Sequence, residues 1–140
     1  MISPAQILQK YWGHSSFRDS QEDIIKAVLN KKDVVTILPT GGGKSVCYQV
    51  PGLILEGVCL VISPLISLMN DQTEQLRNNG IKALTIKSKA TTDEIVSLFD
   101  NLKFGQYKFL YLSPERLQSD LIIQKIKEIN INLIAVDEAH

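Results

Sequence analysis

The sequence predicts an α/β fold built on a parallel sheet, and three observations predict it. Short runs rich in valine, isoleucine, leucine and aromatics (DVVTIL, VCLVIS, KALTI, KFLYLS and NLIAVD) recur from Asp33 onward. Segments of helical pattern separate them: KSVCYQVPGLIL, SLMNDQTEQLRNNG, TTDEIVSLFDNL and SDLIIQKIKEI. The strand runs are apolar almost throughout instead of alternating, which is the pattern of strands covered on both faces and joined by right-handed crossovers.

Taken in order, Ser3-Pro4 reads as an N-cap followed by proline at the first helical position. It opens a short helix through Tyr11-Trp12 that Gly13 ends. Ser20-Gln21-Glu22-Asp23 resembles a capping box, with Ile24, Ile25, Val28 and Leu29 following at helical spacing. Two helices therefore precede the first strand. Thr91 to Glu94 is a second capping box, and Gly80 after Asn78-Asn79 is a helix stop. No internal repeat, linker or low-complexity tract interrupts the pattern.

At 140 residues the chain is one domain at most. Apolar residues make up 44% and charged residues 21%, which argues against disorder. Fifteen basic and fifteen acidic residues cancel, so any surface for a polyanion has to be local. Cys47 and Cys59 lie in apolar company without a CxxC pair or nearby histidines, which suits buried thiols in a reducing compartment. The N-terminus has no charged-then-apolar leader, and VCLVISPLISLM is too short and interrupted to span a bilayer. A cytoplasmic protein without membrane partners is expected.

The chemistry concentrates just after the strands. LPTGGGKS departs from the general phosphate-loop pattern, because Leu38 stands where that pattern has its first glycine. Such a loop needs residues without Cβ where backbone N–H groups approach phosphate oxygens, then a helix N-terminus. Gly41, Gly42 and Gly43 supply that freedom, Lys44 reaches the β and γ phosphates, and the Ser45 hydroxyl binds Mg²⁺. The plain alternative is a strand-to-helix turn with a surface lysine, for which three consecutive glycines are entropically wasteful. At the other end, DEAH follows NLIAV. Asp137 at a strand tip can hold Mg²⁺ through water, and Glu138 can polarise the water that attacks the γ phosphate. Alone, such an acidic pair is ordinary solvated charge; coupled to the glycine loop, it becomes a hydrolysis site. PTGGGKS, SPLIS, SPER and DEAH all follow predicted strands, and ligands of such sheets gather at the carboxyl ends.

Together, PTGGGKSVCYQVP, VISPLISLMNDQ, YLSPER and DEAH closely resemble the RecQ family of superfamily 2 DNA helicases, in motif order and from about Tyr11 to His140. CYQ and SPLISLM are more specific than the phosphate loop. The resemblance implies a three-layer RecA-like P-loop NTPase sandwich, with residues 1–32 forming N-terminal helices and 33–140 a partial ATP-binding lobe. It makes the Leu38 mismatch a family trait, with the working loop starting at Pro39-Thr40, and it places Lys44, Asp137, Glu138 and His140 in the catalytic set. By resemblance FRDSQ reads adenine: Gln21 bonds the base edge, Arg18 stacks on one side, and His14 stands where relatives carry a ring. A half-buried surface role for His14 is the alternative, and Phe17 is expected in the core.

SPLISLMNDQ and YLSPER look like the family's two DNA-backbone motifs of this lobe. Ser63, Ser113 and Arg116 would then hold phosphates without sequence preference. Ser-Pro as a helix start and a Glu115–Arg116 ion pair are the structural alternatives. Two departures stand out: IKSKA where relatives carry an Asn-Ser pair, and Asp19-Ser20 where a proline is frequent. The implied partners are ATP, Mg²⁺ and single-stranded or partially duplex DNA, in a 3′ to 5′ helicase of repair and recombination. Another superfamily 2 motor acting on RNA and a nucleotide-binding module without catalysis are the rival readings. The 140 residues lack the second lobe and arginine finger that the resemblance attributes to the intact enzyme. ATP turnover by this chain is therefore expected not to rise on addition of single-stranded DNA, and a DNA-stimulated rate in a coupled ATPase assay would overturn that expectation.

Overall fold

The computed structural model describes residues 3–18, 20–34, 44–87 and 89–137. The chain forms two compact units, Met1–Glu56 and Gly57–His140.

The first unit holds three helices: α1 (Pro4–Trp12), α2 (Gln21–Leu29) and α3 (Val46–Ile54). Both α1 and α2 pack on α3. Ile7, Ile25 and Val50, one from each helix, form the buried centre, with Tyr11, Trp12, Phe17, Leu29 and Leu53 packed around it. Phe17 is thus part of this core. The start of α1 is a complete capping box: Ser3 Oγ accepts from the Gln6 N–H and Gln6 Oε1 accepts from the Ser3 N–H. Gly13 ends the helix in the left-handed region at φ 73°.

The start of α2 differs from expectation. Ser20 makes no side-chain cap bond, and its backbone (φ −86°, ψ 6°) is not the extended form that carries a hydroxyl to the N3 amide. Gln21 takes over instead: its Oε1 accepts from the Arg18 N–H at 2.8 Å, while its own N–H donates to the Arg18 carbonyl. At the other end of α2, the Lys31 N–H bonds the Val28 carbonyl and the Lys32 N–H bonds the Ala27 carbonyl. That is a Schellman closure with lysine at φ 61° where glycine usually sits.

The second unit is a four-stranded parallel sheet in the order β2-β3-β1-β4 among the described residues. The strands are β1 (Val58–Ile62), β2 (Ala83–Thr85), β3 (Phe109–Leu112) and β4 (Ile131–Val136). Four of the five expected strands are present within a residue or two of their expected bounds. The fifth, DVVTIL, lies outside the described residues apart from Asp33 and Val34. The helices are α4 (Ile66–Asn78), α5 (Thr92–Phe104) and α6 (Asp120–Lys127), with a 3₁₀ turn over Pro114–Gln118.

Strand parity sorts the two faces. Val58, Leu60, Ile62, Leu110 and Leu112 share one face and pack on Ile95, Phe99 and Leu102 of α5 and Ile122 of α6. Cys59, Val61, Phe109 and Tyr111 alternate with them and are also buried. Thr85 pairs in register with Tyr111, so it belongs to this second face, and its hydroxyl donates to Thr73 Oγ1 of α4. Thr73 in turn back-bonds within its helix to the Met69 and Asn70 carbonyls, both at 3.0 Å. Helices thus cover both faces, as the unalternating strands required. β4 is the exception, because Ile134 and Val136 are 59% and 60% exposed.

Three turns fix the connections. After α4, the Gly80 N–H bonds the Arg77 carbonyl and the Ile81 N–H bonds the Leu76 carbonyl, with Gly80 at φ 82°. Buried Leu76 and Ile81 supply the hydrophobic contact of that Schellman motif. Thr91 and Glu94 form the expected reciprocal box on α5. Gly57 enters β1 at φ 111° with the Asn130 carbonyl 2.6 Å from where a Cβ would stand.

Both cysteines are buried free thiols. Burial pushes the Cys59 thiol up to about 12, with Lys108 opposing, and raises Cys47 in the same direction. No helix of the described residues is long and apolar enough to cross a membrane.

Gly57→Ala combines a left-handed backbone with a backbone clash, whereas Gly80→Ala meets nothing within 4 Å and suffers only the conformational cost. The expected losses are about 3 and about 1 kcal/mol, read as urea-unfolding midpoints. A second prediction concerns pH. The Glu94 carboxyl is lowered, first by the Thr91 backbone N–H and then by the Thr91 side chain. A depressed carboxyl stabilises above its unfolded pKa, and that contribution is lost as pH falls through the folded value. Glu94→Gln is therefore expected to lose less stability than the parent between neutral pH and about pH 3, measured by the same unfolding midpoints at each pH.

Candidate functional site

Parallel pairing gives the second unit its functional edge. Ile62 stands in register with Leu112 on one side and Val136 on the other. The next residues, Ser63, Ser113 and Asp137, therefore emerge in one row at the carboxyl ends of three adjacent strands. Backbone bonds continue the ladder one step into that row: the Ser63 N–H donates to the Leu112 carbonyl (3.1 Å) and the Asp137 N–H to the Ile62 carbonyl (2.9 Å). Ser63 and Asp137 are thus held by the sheet, and Ser113 by the turn that follows it, where the Arg116 N–H bonds its carbonyl. This is the edge at which open α/β sheets gather ligands.

Each member of the row has its own environment. Ser63 is only 2% exposed, and its Oγ accepts from the Leu65 N–H at 3.3 Å, shaping the turn that leads into α4. Ser113 is half-buried and begins the 3₁₀ turn with extended backbone, Pro114 following as the first residue of that turn. Asp137 is 7% exposed. Such a carboxylate suits a structured ligand or hydrogen-bond set better than bulk water. Arg116 leaves the 3₁₀ turn and its guanidinium donates to the Lys87 carbonyl beyond the end of β2. The second expected DNA motif is therefore tied to the segment IKSKA. The sequence alone offered no sign of this tie, because the two segments are far apart in the chain and meet only through the β2–β3 pairing.

In the first unit, Lys44 and Ser45 lead into α3. The Cys47 N–H bonds the Lys44 carbonyl, and the Tyr48 and Gln49 N–H groups both reach the Ser45 carbonyl, so the helix winds directly from these residues. Ser45 makes no side-chain capping bond to α3. Its hydroxyl is therefore not spent on the helix start. Gln49 of CYQ is buried within α3. His14 and Arg18 are exposed and Gln21 is 6% exposed at the start of α2. The Gln21 carbonyl, expected at a base edge, accepts from the chain's own Arg18 N–H and so fixes the FRDSQ turn in one geometry. Thr40, Gly41, Gly42, Gly43, Glu138 and His140 lie outside the described residues.

Asp137 is a carboxylate at a strand end of the second unit, and Ser45 is a hydroxyl at a helix start of the first. Both are oxygen ligands of the kind Mg²⁺ takes. Among the described residues no group of three or more His, Cys, Asp or Glu side chains gathers as an all-protein metal site.

Comparison with known proteins places these features in a family. Residues 18–140 match the model of the DEAD/DEAH box helicases. The chain is 46% identical over 141 residues to the probable ATP-dependent DNA helicase RecS of Bacillus subtilis, covering 100% of this chain and 28% of that protein. It is 45% identical over 142 residues to the ATP-dependent DNA helicase RecQ of the same organism, covering 100% of this chain and 24% of that protein. It is likewise 45% identical over 134 residues to the RecQ helicase of Haemophilus influenzae, covering 96% of this chain and 22% of that protein. The chain thus spans about a quarter of the length of these relatives. With the family model matched from Arg18 to the last residue and the motif row standing at the carboxyl edge of a parallel sheet, the chain belongs to the DEAD/DEAH box helicase family.

Proposed function

We propose that the chain is an ATP-binding part of a RecQ-type DNA helicase, in which hydrolysis of ATP drives unwinding of DNA with 3′ to 5′ polarity. The row Ser63, Ser113 and Asp137 at the ends of β1, β3 and β4 is the observation that carries this reading. Three motifs far apart in the chain project from one edge, as an enzyme needs that must link a phosphate reaction to a grip on a second ligand. Its RecS and RecQ relatives are named as ATP-dependent DNA helicases, which supports the choice of DNA.

The proposed roles follow residue chemistry. Thr40 and Gly41 to Gly43 offer backbone N–H groups to the phosphates, and Lys44 supplies a positive charge to the β and γ oxygens. Ser45 is a Mg²⁺ ligand through its hydroxyl, and Asp137 one through water. When bound, Mg²⁺ offsets the charge that builds on the phosphate oxygens. Glu138 orients and deprotonates the attacking water, with His140 completing the motif. Arg18 stacks on the adenine and His14 lies on its other side, while Gln21 reads the base edge from a turn it also holds closed.

DNA is taken by its backbone. Ser113 and Arg116 are the proposed phosphate contacts, and Ser63, nearly buried, acts by shaping the turn into α4, whose first-turn N–H groups are the donors. Residues 33–140 make up the lobe on this reading, with 1–32 as the adenine-reading helices, in a protein of the cytoplasm.

Two substitutions test the enzyme reading. Lys44→Ala is expected to weaken ATP binding by about tenfold or more, since a charge-assisted contact contributes about 2 kcal/mol. Glu138→Gln is expected to leave binding intact and to lower turnover by about a hundredfold. Affinity is read with a fluorescent ATP analogue and turnover by phosphate release. If only Lys44→Ala changes affinity and neither variant changes turnover, the chain is a nucleotide binder and not a catalyst.

A further inference from the structure

The segment IKSKA carries two lysines, Lys87 and Lys89, and the structure ties that segment to the carboxyl edge. The Ile86 N–H continues the sheet ladder by donating to the Tyr111 carbonyl, so the chain leaves β2 in line with β3. It then folds back at once: the Ala90 N–H donates to the Lys87 carbonyl at 3.2 Å. That same carbonyl accepts the Arg116 guanidinium. Two chain reversals, one after β2 and one after β3, are thereby joined at a single oxygen. Lys87 and Lys89 are both exposed.

We propose that Lys87 and Lys89 are DNA-phosphate contacts, and that Arg116 positions them by holding the Lys87 carbonyl. The inference rests on the DNA reading given above and extends it to residues outside the recognised motifs. A guanidinium bound to a neutral carbonyl keeps its full charge, so three cationic groups are held at one corner without a carboxylate taking up the Arg116 bond. The corner is not a uniform basic field. Glu94 lies close enough to Lys87 to feel its charge, but its carboxylate accepts the Thr91 N–H in the cap of α5. Asp93 and Glu115 are exposed in the adjoining turns. These acids limit the corner to a short contact with one or two phosphates, in place of an extended groove. Short contacts of this kind grip a backbone without reading sequence.

The experiment is the salt dependence of binding between the whole 140-residue chain and a fluorescein-labelled oligothymidine, followed by anisotropy. Each phosphate contact to single-stranded DNA contributes about 0.7 to the slope of log affinity against log salt. Lys87→Ala with Lys89→Ala is expected to reduce that slope by roughly 0.7 to 1.4 while leaving affinity for the fluorescent ATP analogue unchanged. Arg116→Ala should remove the lysines' contribution, so that the lysine substitutions added to it change the slope no further. Arg116→Gln retains donors for the Lys87 carbonyl and should restore their effect. An unchanged slope in the double lysine variant, with the parent still binding DNA, overturns this inference and leaves the DNA reading standing. Lysine effects that persist in full beside Arg116→Ala overturn the positioning role. If the parent chain shows no salt-dependent binding to the oligonucleotide, both readings fall together.

Discussion

The second unit depends on one constraint: β1 is paired in parallel on both of its edges, with β3 and with β4, in a register that brings Ile62, Leu112 and Val136 level. In a parallel sheet every strand finishes at the same side, so the residues that follow are delivered to one edge whatever their distance in the chain. Ser63, Ser113 and Asp137 need no further device to meet. Both faces are buried and closely packed, so a slip of one residue would set side chains of different size into the places of Leu60, Leu110 and their neighbours. The packing that fills the core therefore also holds the alignment of the polar row.

Around that sheet, polar side chains mostly serve the backbone. Gln21 closes the turn before α2, Thr91 and Glu94 close α5, Ser119 accepts from the Ile122 N–H at the start of α6, and Arg116 holds a carbonyl beyond β2. The bonds at the helix starts satisfy groups that lack an internal partner, and the Arg116 bond adds a second donor to a carbonyl that already accepts the Ala90 N–H. Several of these residues belong to motifs expected to touch ligands. Local order and ligand contact are compatible uses of one side chain, since a residue already held in place loses less freedom when a ligand arrives.

Much of the fold was legible because its determinants are local. The runs VCLVIS, KFLYLS and NLIAVD announced β1, β3 and β4 by unbroken apolarity, and Ser3, Thr91 and Gly80 announced helix ends by residue type. The misreading at Ser20 has the same origin. Its spacing to Asp23 suits a cap, but the backbone there is set by the reciprocal bonds between Arg18 and Gln21, which composition does not reveal. The end of α2 was equally hidden, since a lysine in the left-handed region carries no signal comparable to glycine. For the site, the motif positions were legible as strand ends. What was not legible was which neighbours those ends would acquire: the tie from Arg116 to Lys87 exists only because β2 lies beside β3 instead of beside β1, where chain order would have put it.

The two cysteines carry a consequence of a different kind. Cys59 sits on the central strand, wholly inaccessible and with its thiol held up to about 12, so neither exposure nor ionisation favours attack by an alkylating reagent. Cys47 is buried on α3 in the other unit, with its thiol raised as well. Modification of either one has to wait for its surroundings to open, and its rate then measures how often they do. The chain contains a natural pair of clocks, one for the helical unit and one for the sheet, able to time their openings separately without any added label site.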